Sequence, residues 1–186
     1  GRNKEGTPGR IVDWAQELGI PSTVVDAIEA DSEPVSSSRI RKLLQEGHVI
    51  AASRLLGRDY SVTGEVCHGD KRGRLLGFPT ANMKPLQGQA GAPCLPKNGV
   101  YLTATTYLSK TFASITNVGT KPTVKAGPEI SVETHILDFE GDLYGNFITV
   151  EFRDRLRDEK RFSGLDELKQ QIQIDTSKAK SILKIV

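Results

Sequence analysis

From Tyr60 onward the chain is cut into short β-prone runs by clusters rich in glycine, proline and asparagine. The runs are 60–68, 80–83, 99–107, 111–117, 130–139 and 147–152. Between them lie HGDKRGRLLGFP, GQAGAPCLPKNG, NVGTKPTVKAGP and FEGDLYGN. The pattern therefore predicts an antiparallel barrel rather than a parallel sheet. A helix follows, with Ser163 as a candidate cap, Asp166 in its first turn, and Leu165, Leu168, Ile172, Ala179 and Ile182 as its apolar side.

The residues before Tyr60 have a different texture. Ile11, Val12, Ala15 and Leu18 recur at helical spacing, with Gly19 and Pro21 as the stop. Residues 23–28 read as a short apolar strand. Ser36, Ser37 and Ser38 suit a helix start ahead of Ile40, Leu43 and Leu44. Residues 49–57 read as a further short helix that ends at Gly57. The expected organisation is a truncated α/β piece at 1–46, a helical linker at 47–59 and a β domain at 60–186.

Composition narrows the classes. In 186 residues, 37% hydrophobic content can supply a core, and a formal net charge of +2 comes without a basic stripe carrying interleaved aromatics. Nucleic-acid binding is therefore not expected. No apolar stretch reaches the length of a membrane span, and the first residues lack a signal-peptide core. Cys67 and Cys94 have no metal-ligand spacing and read as free thiols, which favours the cytoplasm.

Three stretches can carry chemistry. In 77–82 (GFPTAN), Thr80 and Asn82 are two apart, so an extended chain turns both to one face. They can supply neutral oxygens to a magnesium ion carried by nucleotide phosphates, or simply satisfy backbone groups at a strand edge. Upstream, Gly69, Gly73 and Gly77 permit close approach of backbone N–H groups to phosphate, beside Lys71, Arg72 and Arg74. A solvated hairpin loop is the plainer reading of that stretch, and its glycine spacing fits neither a Walker A loop nor a dinucleotide fingerprint. In 132–136 (VETHI), alternation gives Glu133 a fixed direction, as a general base requires, although a solvated edge glutamate shows the same pattern. His135 shares its face and can belong to the same site or serve as a structural histidine. Tyr144 sits in a turn where it can border a base or pack on the barrel. Arg157, Lys160 and Phe162 precede the last helix and can meet a planar ligand or simply pack.

In this order GDKRGRLLGFPTAN at 69–82, NGVY at 98–101, NVGTKPT at 117–123, VETHILDFEGDLYG at 132–145 and LRDEKRF at 156–162 resemble the riboflavin kinase family. The resemblance implies a mainly β fold, a six-stranded antiparallel Greek-key barrel with a C-terminal α-helix. It implies ATP and riboflavin as substrates, FMN and ADP as products, and Mg2+ at Thr80 and Asn82. Glu133 would be the catalytic base. Gly69, Arg74, Gly77, Thr80, Ile136, Asp138 and Tyr144 would contact ATP, and Arg157 and Phe162 the flavin. GRNKEGTP at 1–8 and VSSSRIR at 35–41 resemble the end of the Rossmann-like FMN adenylyltransferase domain of bacterial bifunctional FAD synthetases, with Ser37 and Arg41 as triphosphate contacts. The HxGH motif of that domain is missing from the sequence, so adenylyl transfer is not expected of it. The resemblance also allows self-association through the adenylyltransferase domain in a full-length protein. The alternative is a flavin- or nucleotide-binding barrel without turnover. An RNA- or protein-binding barrel is a further rival, but the aromatics are not clustered with charge.

Overall fold

The computed structural model describes residues 6–69, 73, 76–88, 91–123 and 127–183, which divide after Ser36 into two compact units.

In the first unit, α1 (Pro8–Glu17) starts where Thr7 Oγ1 accepts the Arg10 N–H and Pro8 supplies a pre-set φ. The expected strand at 23–28 does not form. The ladder instead lies just downstream, in β1 (Glu29–Ala30) and β2 (Glu33–Pro34), joined by Asp31 and Ser32, which both have positive φ. A strand needs a partner as well as apolar residues. This two-residue turn pairs 29–30 with 33–34 and leaves Val24, Val25 and most of Ile28 exposed.

The second unit opens with α2 (Ser37–Glu46) and α3 (Val49–Leu56). Leu44, Val49 and Ala52 are buried in one cluster with the barrel residues Tyr101 and Phe152, so α2 packs with the barrel unit. Six strands follow: β3 (Tyr60–Cys67), β4 (Ala81–Pro85), β5 (Gly99–Tyr107), β6 (Lys110–Thr123), β7 (Gly127–Ile136) and β8 (Phe147–Arg157). They close in the order β3-β4-β7-β6-β5-β8 with every neighbour antiparallel. β5, β6 and β7 form a meander and β8 returns beside β5, which is the Greek-key order. α4 (Leu165–Leu183) completes the unit.

Each strand buries alternate residues inside the barrel: Val62 and Val66, Met83, Val118, Val132 and Ile136, Ile148, Val150 and Phe152. β5 is buried on both faces, because Val100 and Leu102 meet a second cluster that includes Ala179 of α4. Among these apolar residues lies a chain of fully buried hydroxyls. Thr103 bonds Ser114 and Thr116 (both 2.8 Å), Ser114 bonds Thr105 (2.8 Å), and Thr116 bonds Thr134 (3.0 Å). Buried hydroxyls must be paired, and here they pair with each other.

α4 is tied down by charge as much as by apolar contact. The Asp175 carboxylate, only 4% exposed, accepts from Arg157 Nε and Nη2 and from Gln171 Nε2. Among the described residues of α4 only Asp175 and Ala179 are buried and the half-buried ones lie between 167 and 180, so Leu165 and Ile182, expected on the buried side, are 58% and 44% exposed. At its start, Glu167 accepts from both the N–H and the Oγ of Ser163 (2.9 Å each). Ser163 thus acts as a donor in place of the expected acceptor cap. No helix of the described residues is long and apolar enough to cross a membrane.

Candidate active site

The approach to β4 is pinned from β7. A ring nitrogen of His135 is 2.8 Å from the Pro79 carbonyl, and its imidazole meets the edge of Phe78 at 5.5 Å between centroids. His135 is therefore structural in the strict sense: it fixes the segment that presents Thr80. Thr80 lines a cavity of about 500 Å³ with Ala81, Thr134, Ile136 and the 139–144 loop, which includes Tyr144. The Tyr144 ring lies 4.1 Å from that of His68, and the Tyr144 N–H bonds the Asp142 carboxylate. The loop is thus held against the end of β3, where Gly145 N–H also donates to the Val66 carbonyl.

Asn82 and Glu133 are elsewhere relative to this cavity. They are direct cross-strand partners on β4 and β7 and are half-buried, while their strand neighbours Met83 and Val132 point into the barrel. Both side chains therefore project from the outer wall, next to the cavity that Thr80 lines. Glu133 has Asn117 of β6 as its partner on the other side.

Gly69 and Gly73 lie against Asn82 and Thr80. A Cβ at Gly69 would overlap the Asn82 carboxamide. One at Gly73 would overlap the Phe78 carbonyl and come within 3.3 Å of Thr80 Oγ1. Only glycine permits that approach. Gly77 has φ +84° in the turn before Phe78.

The other candidates divide. Ile136 lines the cavity with Thr80 and Tyr144, whereas Asp138 does not; its exposed carboxylate faces Lys180 of α4 at 3.3 Å. Arg157 is committed to Asp175 and holds its guanidinium carbon 5.9 Å from the Phe162 ring centroid, with Lys160 Nζ 5.5 Å from the same centroid. Ser37 and Arg41 are exposed on the first turns of α2, well separated in sequence from the barrel strands. Arg74, with Lys71 and Arg72, lies outside the described residues.

The 158–164 loop that carries Phe162 is fixed by ion pairs. Arg155 Nη2 donates to Asp158 (2.8 Å), a bond that holds the Asp158 carboxyl below its usual range. Lys160 bonds Glu167 at 2.7 Å, and together with the two Ser163 donors it pushes the Glu167 carboxyl down to about 2.

Reading the sequence missed three features. Asp175 gave no signal, because a lone aspartate inside a helix looks solvated. The buried hydroxyl chain looked like ordinary strand threonines. Asn117 lay in the NVGTKPT stretch, but no role was attached to it.

The riboflavin kinase family model (Flavokinase) matches residues 56–183. The chain is 38% identical over 159 residues to the bifunctional riboflavin kinase/FMN adenylyltransferase of Bacillus subtilis, covering 84% of this chain and 49% of that protein. It is 38% identical over 176 residues to the protein of the same description from Escherichia coli, covering 94% and 54%. A solved structure described as a macrolide-efflux protein from Streptococcus pneumoniae superposes with a TM-score of 0.81 at 31% identity, over 91% of this chain and 54% of that one. The chain spans about half the length of the curated relatives it matches. With the match running from α3 through the whole barrel into α4, the chain belongs to the riboflavin kinase family.

Proposed function

We propose that this chain transfers the γ-phosphoryl group of ATP to the primary ribityl hydroxyl of riboflavin, giving FMN and ADP. The observation that carries the reading is the placement of Glu133. A carboxylate stands on a rigid strand directly opposite Asn82, beside the cavity lined by Thr80, with Gly69 and Gly73 closed over the two neutral side chains.

Thr80 and Asn82 fit a magnesium ion that arrives on nucleotide phosphates: two neutral hard oxygens, under a backbone cradle that a Cβ would fill. Among the described residues no group of three or more His, Cys, Asp or Glu gathers as an all-protein metal cage, so phosphate oxygens and water would complete the coordination. When bound, the ion supplies charge neutralisation at the phosphates. The chain's own residues do the rest. Glu133 orients the acceptor hydroxyl and takes its proton. Ile136 and Tyr144 border the nucleotide. Gly69, Gly77 and Arg74 serve the phosphate-covering loop, which excludes water. Arg157 and Phe162 form the flavin end, with Arg157 acting through its hold on α4. Asp138 is the weakest of the nucleotide contacts, since it faces Lys180.

In the same reading, residues 1–46 are the C-terminal end of an FMN adenylyltransferase domain, 47–59 a helical linker, and 60–186 the riboflavin kinase domain. Ser37 and Arg41 keep the positions of triphosphate contacts at a helix start. In this reading, self-association runs through the adenylyltransferase domain of the full-length protein. The same reading places the protein in the cytoplasm, a compartment suited to the free Cys67 and Cys94 thiols, and calls for no nucleic-acid partner.

Incubation with riboflavin and Mg-ATP, followed by chromatography, should yield FMN and no FAD, and chelation of magnesium should abolish the product. Tight flavin binding with no FMN would instead establish a binding module without turnover.

A further inference from the structure

Glu133 has a carboxamide on either side of it in the ladder, and Asn82 accounts for only one. Asn117 of β6 is the partner on the other side, so Asn82, Glu133 and Asn117 stand in a row on the outer wall across three strands. Adjacent members of such a row are roughly 5 Å apart.

Above the third member sits a second carboxylate. Asn117 Nδ2 donates to Glu159 Oε1 at 3.5 Å. Glu159 occupies the space that a side chain at residue 119 would need: a Cβ on Gly119 would overlap Glu159 Oε1 and lie 3.2 Å from Asn117 Nδ2. Asn117 and Gly119 are two apart on β6 and share its outer face. Glycine inside a strand weakens it and marks a place where something must come close. This approach contributes little to stability, because Glu159 is exposed and its bond with Asn117 is long. The loop bearing Glu159 is nonetheless held firmly, by Arg155 on Asp158 and by Lys160 and Ser163 on Glu167.

The chemistry of the row is that of a polyol reader. A carboxamide offers two donors and an acceptor, and each carboxylate offers acceptors only, so neighbouring hydroxyls along a carbon chain can each find a complement. We propose that Asn117 and Glu159 form the subsite that reads the secondary hydroxyls of the acceptor's side chain while Glu133 takes the terminal one. They would make this chain selective for a polyhydroxylated chain over a plain hydroxyalkyl one. This deepens the kinase reading and rests on it.

The test compares riboflavin with a flavin whose side chain has the same length and a terminal hydroxyl but no secondary hydroxyls. The readouts are kcat and KM for each acceptor, and flavin fluorescence titration without ATP. Asn117→Ala and Glu159→Ala should each lower the ratio of kcat/KM for riboflavin over the analogue roughly tenfold, mostly through the KM for riboflavin, as expected for one lost hydrogen bond. Glu159 is exposed, so its variant keeps the test open if Asn117→Ala misfolds. A ratio that stays at the wild-type value while both acceptors decline together would show a merely structural role and overturn the proposal. If the wild type makes no FMN at all, the kinase reading fails separately. The titration then still decides the subsite: a preference for riboflavin that both variants erase supports it, and equal binding of the two flavins ends it.

Discussion

Two faces of one strand divide the labour of this barrel. On β7, Val132, Thr134 and Ile136 point inward and are at most 6% exposed, while Glu133 and His135 alternate with them on the outer wall. The inner set belongs to a core in which buried threonine and serine hydroxyls bond to one another across β5, β6 and β7. The outer set reaches neighbouring elements: His135 holds Pro79, and Glu133 stands between Asn82 and Asn117. The lesson is that the ladder serves two purposes at once. Strand register, fixed by burying the inner face, also sets the spacing of the polar groups on the outer face without further machinery.

The hardest blow to that division is to exchange chemistry for shape at a single outer position. Glu133→Gln keeps volume and hydrogen bonding and loses the base. Turnover should fall roughly 10²–10⁴-fold, the usual size of a general-base contribution, while flavin affinity and the urea unfolding midpoint stay near wild type. Rapid-quench measurement of FMN formation beside equilibrium unfolding checks both halves. Near wild-type turnover would remove Glu133 from the chemistry and leave the outer row a surface.

The inner face should respond in the opposite way. Thr116→Val keeps the shape but removes the hydroxyl that links Thr103 to Thr134, so two buried hydroxyls lose a partner. The loss in unfolding free energy should be about 1–3 kcal/mol, read from urea titration, with kcat altered far less than by Glu133→Gln. A large kcat defect at unchanged stability would mean that the hydroxyl chain governs Thr134 at the cavity wall, and the two faces would not be separable.

How much of this division was legible beforehand follows from the range of the interactions concerned. The strands from Tyr60 onward were readable because alternation and turn residues are local. So was the direction of Glu133, opposite Val132 and Thr134. What could not be read was which strands would be neighbours. Asn82 opposite Glu133, and Asn117 beyond it, are 51 and 16 positions away in the chain, and only closure in the order β4-β7-β6 brings them into one row. Residues 23–28 failed as a strand for the converse reason: the local pattern was right, but no strand among the described residues pairs with them. Leu165 and Ile182 were placed on the buried side of α4 by periodicity, which gives a face but not the length of its contact. Asp175, within the buried stretch, is paired with Arg157 of a different element, a partner that periodicity along α4 does not reveal.

The smallest effect separates the two faces by pH. Glu167, on the outside of the barrel, has its carboxyl pushed from an ordinary 4.5 down to about 2 by hydrogen bonds from Lys160 and Ser163. A carboxyl lowered on folding stabilises the folded state above its unfolded value and loses that contribution as pH falls through its folded value. The urea midpoint of the wild type should therefore exceed that of Glu167→Gln by a constant margin above pH 4.5, and the margin should close as pH falls toward 2. It should also narrow in high salt at neutral pH, because the pair is exposed. The deficit of Thr116→Val should hold steady across the same acid range, since the hydroxyls it unpairs do not titrate there. The interior responds at the opposite end of the scale. Burial pushes Tyr60, whose hydroxyl donates to the Cys94 carbonyl at 2.6 Å, up to about 12, so its contribution is complete below pH 10 and fades as pH rises toward 12. A Glu167→Gln margin that persists unchanged at pH 2 would mean that the 158–164 loop is held by the packing of Phe162 rather than by its ion pairs, and the platform under Glu159 would then be apolar in origin.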